Sequence, residues 1–173
     1  MITLKELHKI MPHCHKEKLE EYLPFLNAAM EEFGIMTPQR QAAFIAQLAH
    51  ESGEFRYMEE IASGAAYEGR ADLGNVYPGD GKKYKGRGPI QITGRNNYIK
   101  CGKALGLPLV DHPEILTQPE SGFRAAGWFW ETHNLNALAD QGLMLQITKK
   151  INGGTNGLKE RLAYYSIAQE ALA

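Results

Sequence analysis

No run in this sequence approaches the roughly 20 consecutive apolar residues of a membrane-spanning helix, so no stable membrane insertion is expected. Cysteine is scarce. Cys14 and Cys101 are too few for a disulfide framework, and two reduced thiols are expected. An excess of charge of one sign is also missing. The 19 Lys and Arg against 20 Asp and Glu give a formal net charge of -1, which argues against nucleic acid held on a broad basic face. Repeats and low-complexity tracts are absent. The opening Met1-Ile2-Thr3-Leu4-Lys5-Glu6 has no apolar run of signal-peptide length, so the protein is expected to be made in, and at first to stay in, the cytoplasm.

What is present is globular. A chain of 173 residues at 43% hydrophobic supports one core and one domain, taken as residues 1–173. Helical spacing dominates. Leu4 to Met11 forms a short amphipathic run closed by Pro12. A second run from about Lys16 to Phe33 places Leu19, Leu23, Leu26, Met30 and Phe33 on one stripe. Gly34 ends it, and Pro24 is expected to kink or split it. Thr37-Pro38 reads as an N-cap hydroxyl followed by a proline at the first helical position. The helix that follows runs from Gln39 to about Glu51 and stops at Ser52-Gly53.

From Ala62 to Gly88 periodicity nearly vanishes and glycine recurs. An ordered loop of that length is usually functional. A short extended segment, Gly88 to Gly94, and a helix from Asn97 to Leu105 come next. Turns at Pro108, Pro113 and Pro119 lead to a helix from Ser121 to His133. That helix is apolar nearly all round and is expected to be the buried central one. Two further helices, Gly142 to Ile151 and Leu158 to Leu172, flank Asn152-Gly153-Gly154-Thr155-Asn156-Gly157. The class is mainly α, with at most a small β element.

Several chemistries can be set aside. His50-Glu51 begins like a zinc-protease motif, but Glu54 stands where its second histidine belongs. His13-Cys14-His15 has no partner cluster for a metal. There is no Gly-x-Ser-x-Gly elbow, and Gly86-Arg87-Gly88 is neither a phosphate loop nor a dinucleotide fingerprint. Carboxylates remain. Glu51 lies at a helix C-terminus, where the macrodipole disfavours ionisation, a setting that suits a proton donor. Glu59, Glu60 and Glu68 lie at or inside the glycine-rich loop. Two carboxylates of unlike environment are what glycoside hydrolysis needs, though by spacing alone these acids read first as ordinary surface groups. Trp128 and Trp130 read as core before they read as sugar platforms.

At these residues the sequence resembles the family 19 glycoside hydrolases, the chitinase and phage-endolysin family. Ala43 to Ser52 (AFIAQLAHES) looks like the family's catalytic helix, and Gly86 to Tyr98 (GRGPIQITGRNNY) resembles its signature segment. Trp128-Phe129-Trp130 and Ile151-Asn152-Gly153-Gly154 match two later motifs in the right order. The resemblance implies a lysozyme-like, α-rich single catalytic domain with a long glycine-rich active-site loop, and hydrolysis with inversion. Glu51 would be the general acid. A second carboxylate, roughly 6.5–9.5 Å away, would activate water that Thr93 helps to hold. Plant-type members nominate Glu68 for that base and compact phage members nominate Glu60, which is favoured. His50, Gln91, Asn97, Tyr98 and Asn152 would contact sugar, and Arg161 would orient and tune the carboxylates. Asn156 departs from the acid that plant-type members carry there.

The resemblance also implies no metal and no cofactor. The expected partner is the glycan strand of peptidoglycan, with chitin as the alternative. Peptidoglycan is favoured by the lack of a signal peptide, by an opening similar to phage endolysins, and by the lack of a cysteine-rich chitin-binding module. The protein is expected to be a monomer held in the host cytoplasm until it is released to the periplasm and cell wall.

Overall fold

The computed structural model describes all 173 residues as nine α-helices around one core. Helix α1 (Leu4–Ile10) opens on a capping box in which Thr3 and Glu6 satisfy each other's backbone N–H groups. Helix α2 (Lys16–Glu32) is continuous. Pro24 is exposed, so the carbonyl it leaves unbonded faces solvent and the expected break does not occur. Gly34 adopts the left-handed conformation after it, and Ile35 N–H returns to the Met30 carbonyl at 2.8 Å.

Helix α3 (Pro38–Ser52) starts where Thr37 Oγ1 accepts from Arg40 N–H at 3.2 Å. Ten of its 15 residues are buried, against seven of 14 in α6 (Pro119–Thr132). The most buried helix is therefore α3, and the central position expected for the later helix is corrected. Its alanines at 42, 43, 46 and 49 let it lie close to α9 (Leu158–Ala171), its principal partner. Phe44 meets the ring of Trp130 edge-on at 5.2 Å, a pairing worth about 0.5–1.5 kcal/mol beyond burial.

The glycine-rich segment is ordered rather than structureless. It holds two 3₁₀ turns, Ala65–Tyr67 and Ala71–Leu73, and the short helix α4 (Asp80–Lys83). Asp80 anchors it through a bidentate pair with Arg95, both contacts at 2.8 Å, while the Arg95 guanidinium lies between the rings of Tyr77 and Tyr84. In place of an extended strand, residues 87–92 form a tight turn. Arg87 pairs with Glu59 and with Ile92 in isolated bridges, and there is no sheet.

Helix α5 (Arg95–Leu105) begins two residues earlier than its spacing predicts. Helix α7 (Leu135–Asp140) was not foreseen. Helix α8 (Met144–Asn152) and α9 complete the chain, and they carry the Asn152 to Gly157 connection to the end of α3. Both cysteines are free and buried, and burial pushes the Cys101 thiol up to about 12.

Candidate active site

Helix α3 delivers Glu51 to the wall of a cleft of about 380 Å³. Gln91, Thr93 and Asn152 line the same cleft from two distant stretches of chain. Tyr67, Arg70 and Leu73 enter from the glycine-rich loop, and Ile90, Phe129 and Ile151 supply apolar surface. Thus four of the ten nominated residues converge on one hollow. Phe129 holds the cleft-facing aromatic position there, its ring stacked on His133 at 4.0 Å. Trp130 is fully buried in the core, and Trp128 packs against that core half-buried.

Behind Glu51 lies a buried cation. Arg161 Nη2 is 2.6 Å from Glu51 Oε1, and the arginine side chain is 1% exposed against 23% for the acid. Arg161 therefore acts on the acid from the protein side and offers no surface to a sugar. His50 turns toward α9, where its Nδ1 lies 2.8 Å from Glu160 Oε1. Gly157 makes this approach feasible, because a Cβ there would stand 2.2 Å from the His50 ring.

The backbone just beyond Glu51 is strained. Gly53, Glu54 and Phe55 all have positive φ, and two of them carry side chains. Phe55 is held by the rings of Tyr22 and Phe123 at 5.7 and 5.2 Å. Glu54 is 7% exposed and accepts from His13 N–H, His13 Nδ1 and the Tyr164 hydroxyl. Burial alone raises its pKa, but these bonds outweigh burial and hold the carboxyl below its ordinary range.

The two candidates for the second carboxylate stand in different places. Glu60 accepts the Tyr67 hydroxyl at 2.7 Å and Gly86 N–H at 2.9 Å, so a cleft-lining side chain touches it directly. That hydrogen bond raises the Tyr67 pKa. The Gln91 side chain lies across Gly86, where a Cβ would meet Gln91 Oε1 at 2.6 Å. Glu68 instead accepts the N–H groups of Gly79 and Gly81, both at 2.8 Å, and lines a separate hollow with Ala65, Gly79 and Lys82. The two backbone bonds hold its pKa down. Glu68 closes the loop on itself.

Asn97 and Tyr98 are not brought to the cleft. The Asn97 amide donates to the Thr93 carbonyl at 2.8 Å and so fixes the residue that does line it. Tyr98 is fully buried, bonded to the Lys85 carbonyl and to Arg87, and has no surface to offer a sugar. Residue-level reasoning missed Tyr67, Arg70, Phe129 and Gln47 as site components. Helical spacing could have found Gln47, since it lies one turn before Glu51 on α3.

Residues 8–144 match the family model described as class I chitinase. An endochitinase of Arabidopsis thaliana is 43% identical over 140 residues, spanning 76% of this chain and 47% of that protein. A family 19 glycosyl hydrolase domain-containing protein of Haemophilus influenzae is 30% identical over 196 residues, spanning 95% of this chain and 94% of its own length. The chain spans about half the length of the Arabidopsis relatives it matches. Among solved structures, chitinase C from Streptomyces griseus superposes with a TM-score of 0.80 at 22% identity, over 99% of this chain and 76% of that one. A bacterial family 19 chitinase superposes at 0.82 and 21% identity, over 99% and 95%. At these identities the likeness is one of fold.

Proposed function

The chain belongs to the class I chitinase family, family 19 of the glycoside hydrolases, and from that membership we propose that it cleaves the β-1,4 bonds of a chitin-type glycan with inversion. The observation that carries this reading is Glu51, set in the cleft wall with the buried Arg161 guanidinium behind it and Thr93 and Gln91 on the same hollow. In this reading Glu51 protonates the glycosidic oxygen. Glu60 activates water on the opposite face of the sugar, and Thr93 steadies that water. Glu60 is preferred to Glu68 because its partner Tyr67 lines the cleft, whereas Glu68 lines a separate hollow and its bonds run to the loop's own N–H groups. Gln91 and Asn152 bind the sugar ring substituents.

A second reading, peptidoglycan, is favoured by charge. Residues 62–100 carry seven Lys and Arg against three acids in a chain of net charge -1. Four of these cations face acids: Arg70 with Asp72, Lys85 and Arg87 with Glu59, and Arg95 with Asp80. That leaves the exposed Lys82, Lys83 and Lys100 to attract the carboxylates of peptidoglycan stem peptides, whereas chitin is neutral. On this reading the protein is a lysin, held in the cytoplasm until it reaches the wall.

Purified wild type and Glu51→Gln would be incubated with chitohexaose and with purified peptidoglycan. Early products would be followed by proton NMR of the new anomeric carbon. Release of the α-anomer by wild type alone is expected. Intact substrates with wild type, or equal turnover by Glu51→Gln, would sink the assignment. The preferred substrate decides between the two glycans.

A further inference from the structure

The cation behind Glu51 is held by groups that carry no charge of their own. Arg161 Nε donates to the Asn156 carbonyl at 3.0 Å, and Nη1 donates to Gln47 Oε1 at 2.5 Å, leaving Nη2 for Glu51. Gln47 is fully buried, and its amide nitrogen donates to Thr148 Oγ1 at 3.2 Å. Thr148 is buried as well, on α8, four residues before the cleft residue Asn152. A glutamine bonded at both ends has one orientation. Flipping its amide would set two donors face to face at Arg161.

The other titratable groups nearby are engaged elsewhere. His50 and Glu160 bond each other, and Glu54 is taken by His13 and Tyr164. Glu51 is therefore the one carboxylate in contact with the Arg161 guanidinium.

We propose that Gln47 is a positioning residue for the hydrolysis inferred above: clamped by Thr148, its neutral carboxamide aims Arg161 at Glu51 and leaves that cation's charge undivided. This rests on the reading of Glu51 as the acid. Charge is the reason for an amide at this place. Glutamate has nearly the same shape and would accept the same bond, but it would take a share of the guanidinium at short range in a dry site.

The experiment uses Gln47→Met, Gln47→Glu, Thr148→Val and Thr148→Ser in the full chain, with thermal midpoints to confirm folding. On chitohexaose, Gln47→Met is expected to lose about tenfold or more in kcat with KM within about twofold, as expected for a group that acts only in the transition state. Gln47→Glu is expected to move the alkaline limb of the pH profile upward, and Thr148→Ser to recover most of what Thr148→Val loses. A folded Gln47→Met within about threefold of wild-type kcat, or a Gln47→Glu profile unchanged with pH, would overturn the proposal.

A second readout needs no substrate. Restricted rotation should keep the two Arg161 Nη signals separate in nitrogen-15 NMR of wild type and merge them in Gln47→Met. Signals already merged in wild type would also overturn it. If wild type turns over no glycan, the assignment of Glu51 fails, and these spectra alone decide whether Gln47 holds Arg161.

Discussion

The guanidinium of Arg161 and the carboxylate of Glu51 meet 2.6 Å apart, the one delivered by α9 and the other by α3. Residue spacing sets only the end of a helix beside Glu51, and it is the family resemblance that adds Arg161 as the group that tunes it. A full positive charge at contact distance is the larger local influence, because a helix terminus amounts to about half an elementary charge spread over its last turn.

Replacing Arg161 tests how much rests on that contact. Arg161→Lys keeps the charge but cannot reach Asn156, Gln47 and Glu51 together, since an ammonium is a compact point charge and a guanidinium a planar fork. Turnover is expected to fall about 100-fold or more, the scale of losing one preorganised electrostatic contact. Arg161→Ala should also lower stability by about 2–4 kcal/mol, toward the lower end because Glu51 is 23% exposed. Chitohexaose kinetics and urea unfolding measure the two effects.

Glu60→Gln and Glu68→Gln separate the two candidate bases. Glu60→Gln keeps an acceptor for Gly86 N–H, presents its NH2 to the Tyr67 oxygen in place of an acceptor, and removes the base, so kcat should drop by at least about 100-fold. Glu68→Gln touches only the bonds to Gly79 and Gly81, so kcat should stay within about threefold of wild type while the loop becomes easier to cleave with protease. The reverse ranking in a chitohexaose assay would move the base to Glu68.

What could be read from the sequence follows the range of the forces involved. Thr37-Pro38, Gly34 and Gly53 act within a turn of their own position, so the end of α2 and both ends of α3 are legible. Helix α7 is not. It has six residues, starts from a left-handed Asn134 without a capping side chain, and depends on burying Leu135 and Ala139. The glycine-rich segment reads as structureless because Asp80, Glu68 and Asn75 hold it by side-chain bonds with no period. At the site, spacing alone does not unite Glu51, Thr93 and Asn152, and only the family resemblance did so. Tyr98 was misplaced because neighbours in its motif face the cleft while α5 turns Tyr98 into the core.

Gly157 is expected to be intolerant of any side chain. Its φ is +71°, and a Cβ would stand 2.2 Å from His50 Cε1. In Gly157→Ala the left-handed backbone costs about 1 kcal/mol and the clash adds more, so a loss of about 2–4 kcal/mol in urea unfolding is expected. His50 must also leave Glu160, and activity should fall with it.

The His13–Glu54–Tyr164 cluster should give the fold an acid-sensitive clasp beside the site. Glu54 has a folded-state pKa below its ordinary 4.5, so its ionised form stabilises the native state above that pH. As pH falls through the lowered value the carboxylate is protonated and the contribution is lost. The bonds from His13 and Tyr164 weaken with it. Two residues of left-handed backbone, Glu54 and Phe55, are then held by their own N–H bonds to the Ala49 carbonyl and Ser52 Oγ and by the ring contacts of Phe55, without the carboxylate's clasp. Glu54→Gln should cost about 1.5–3 kcal/mol at neutral pH, the scale of hydrogen bonds to a charged group, because an amide accepts at one atom where the carboxylate accepts at two. Its unfolding midpoint should fall less steeply than that of wild type between pH 5 and 3. Parallel slopes in urea titrations across that interval would mean that Glu54 does not couple the turn after Glu51 to pH.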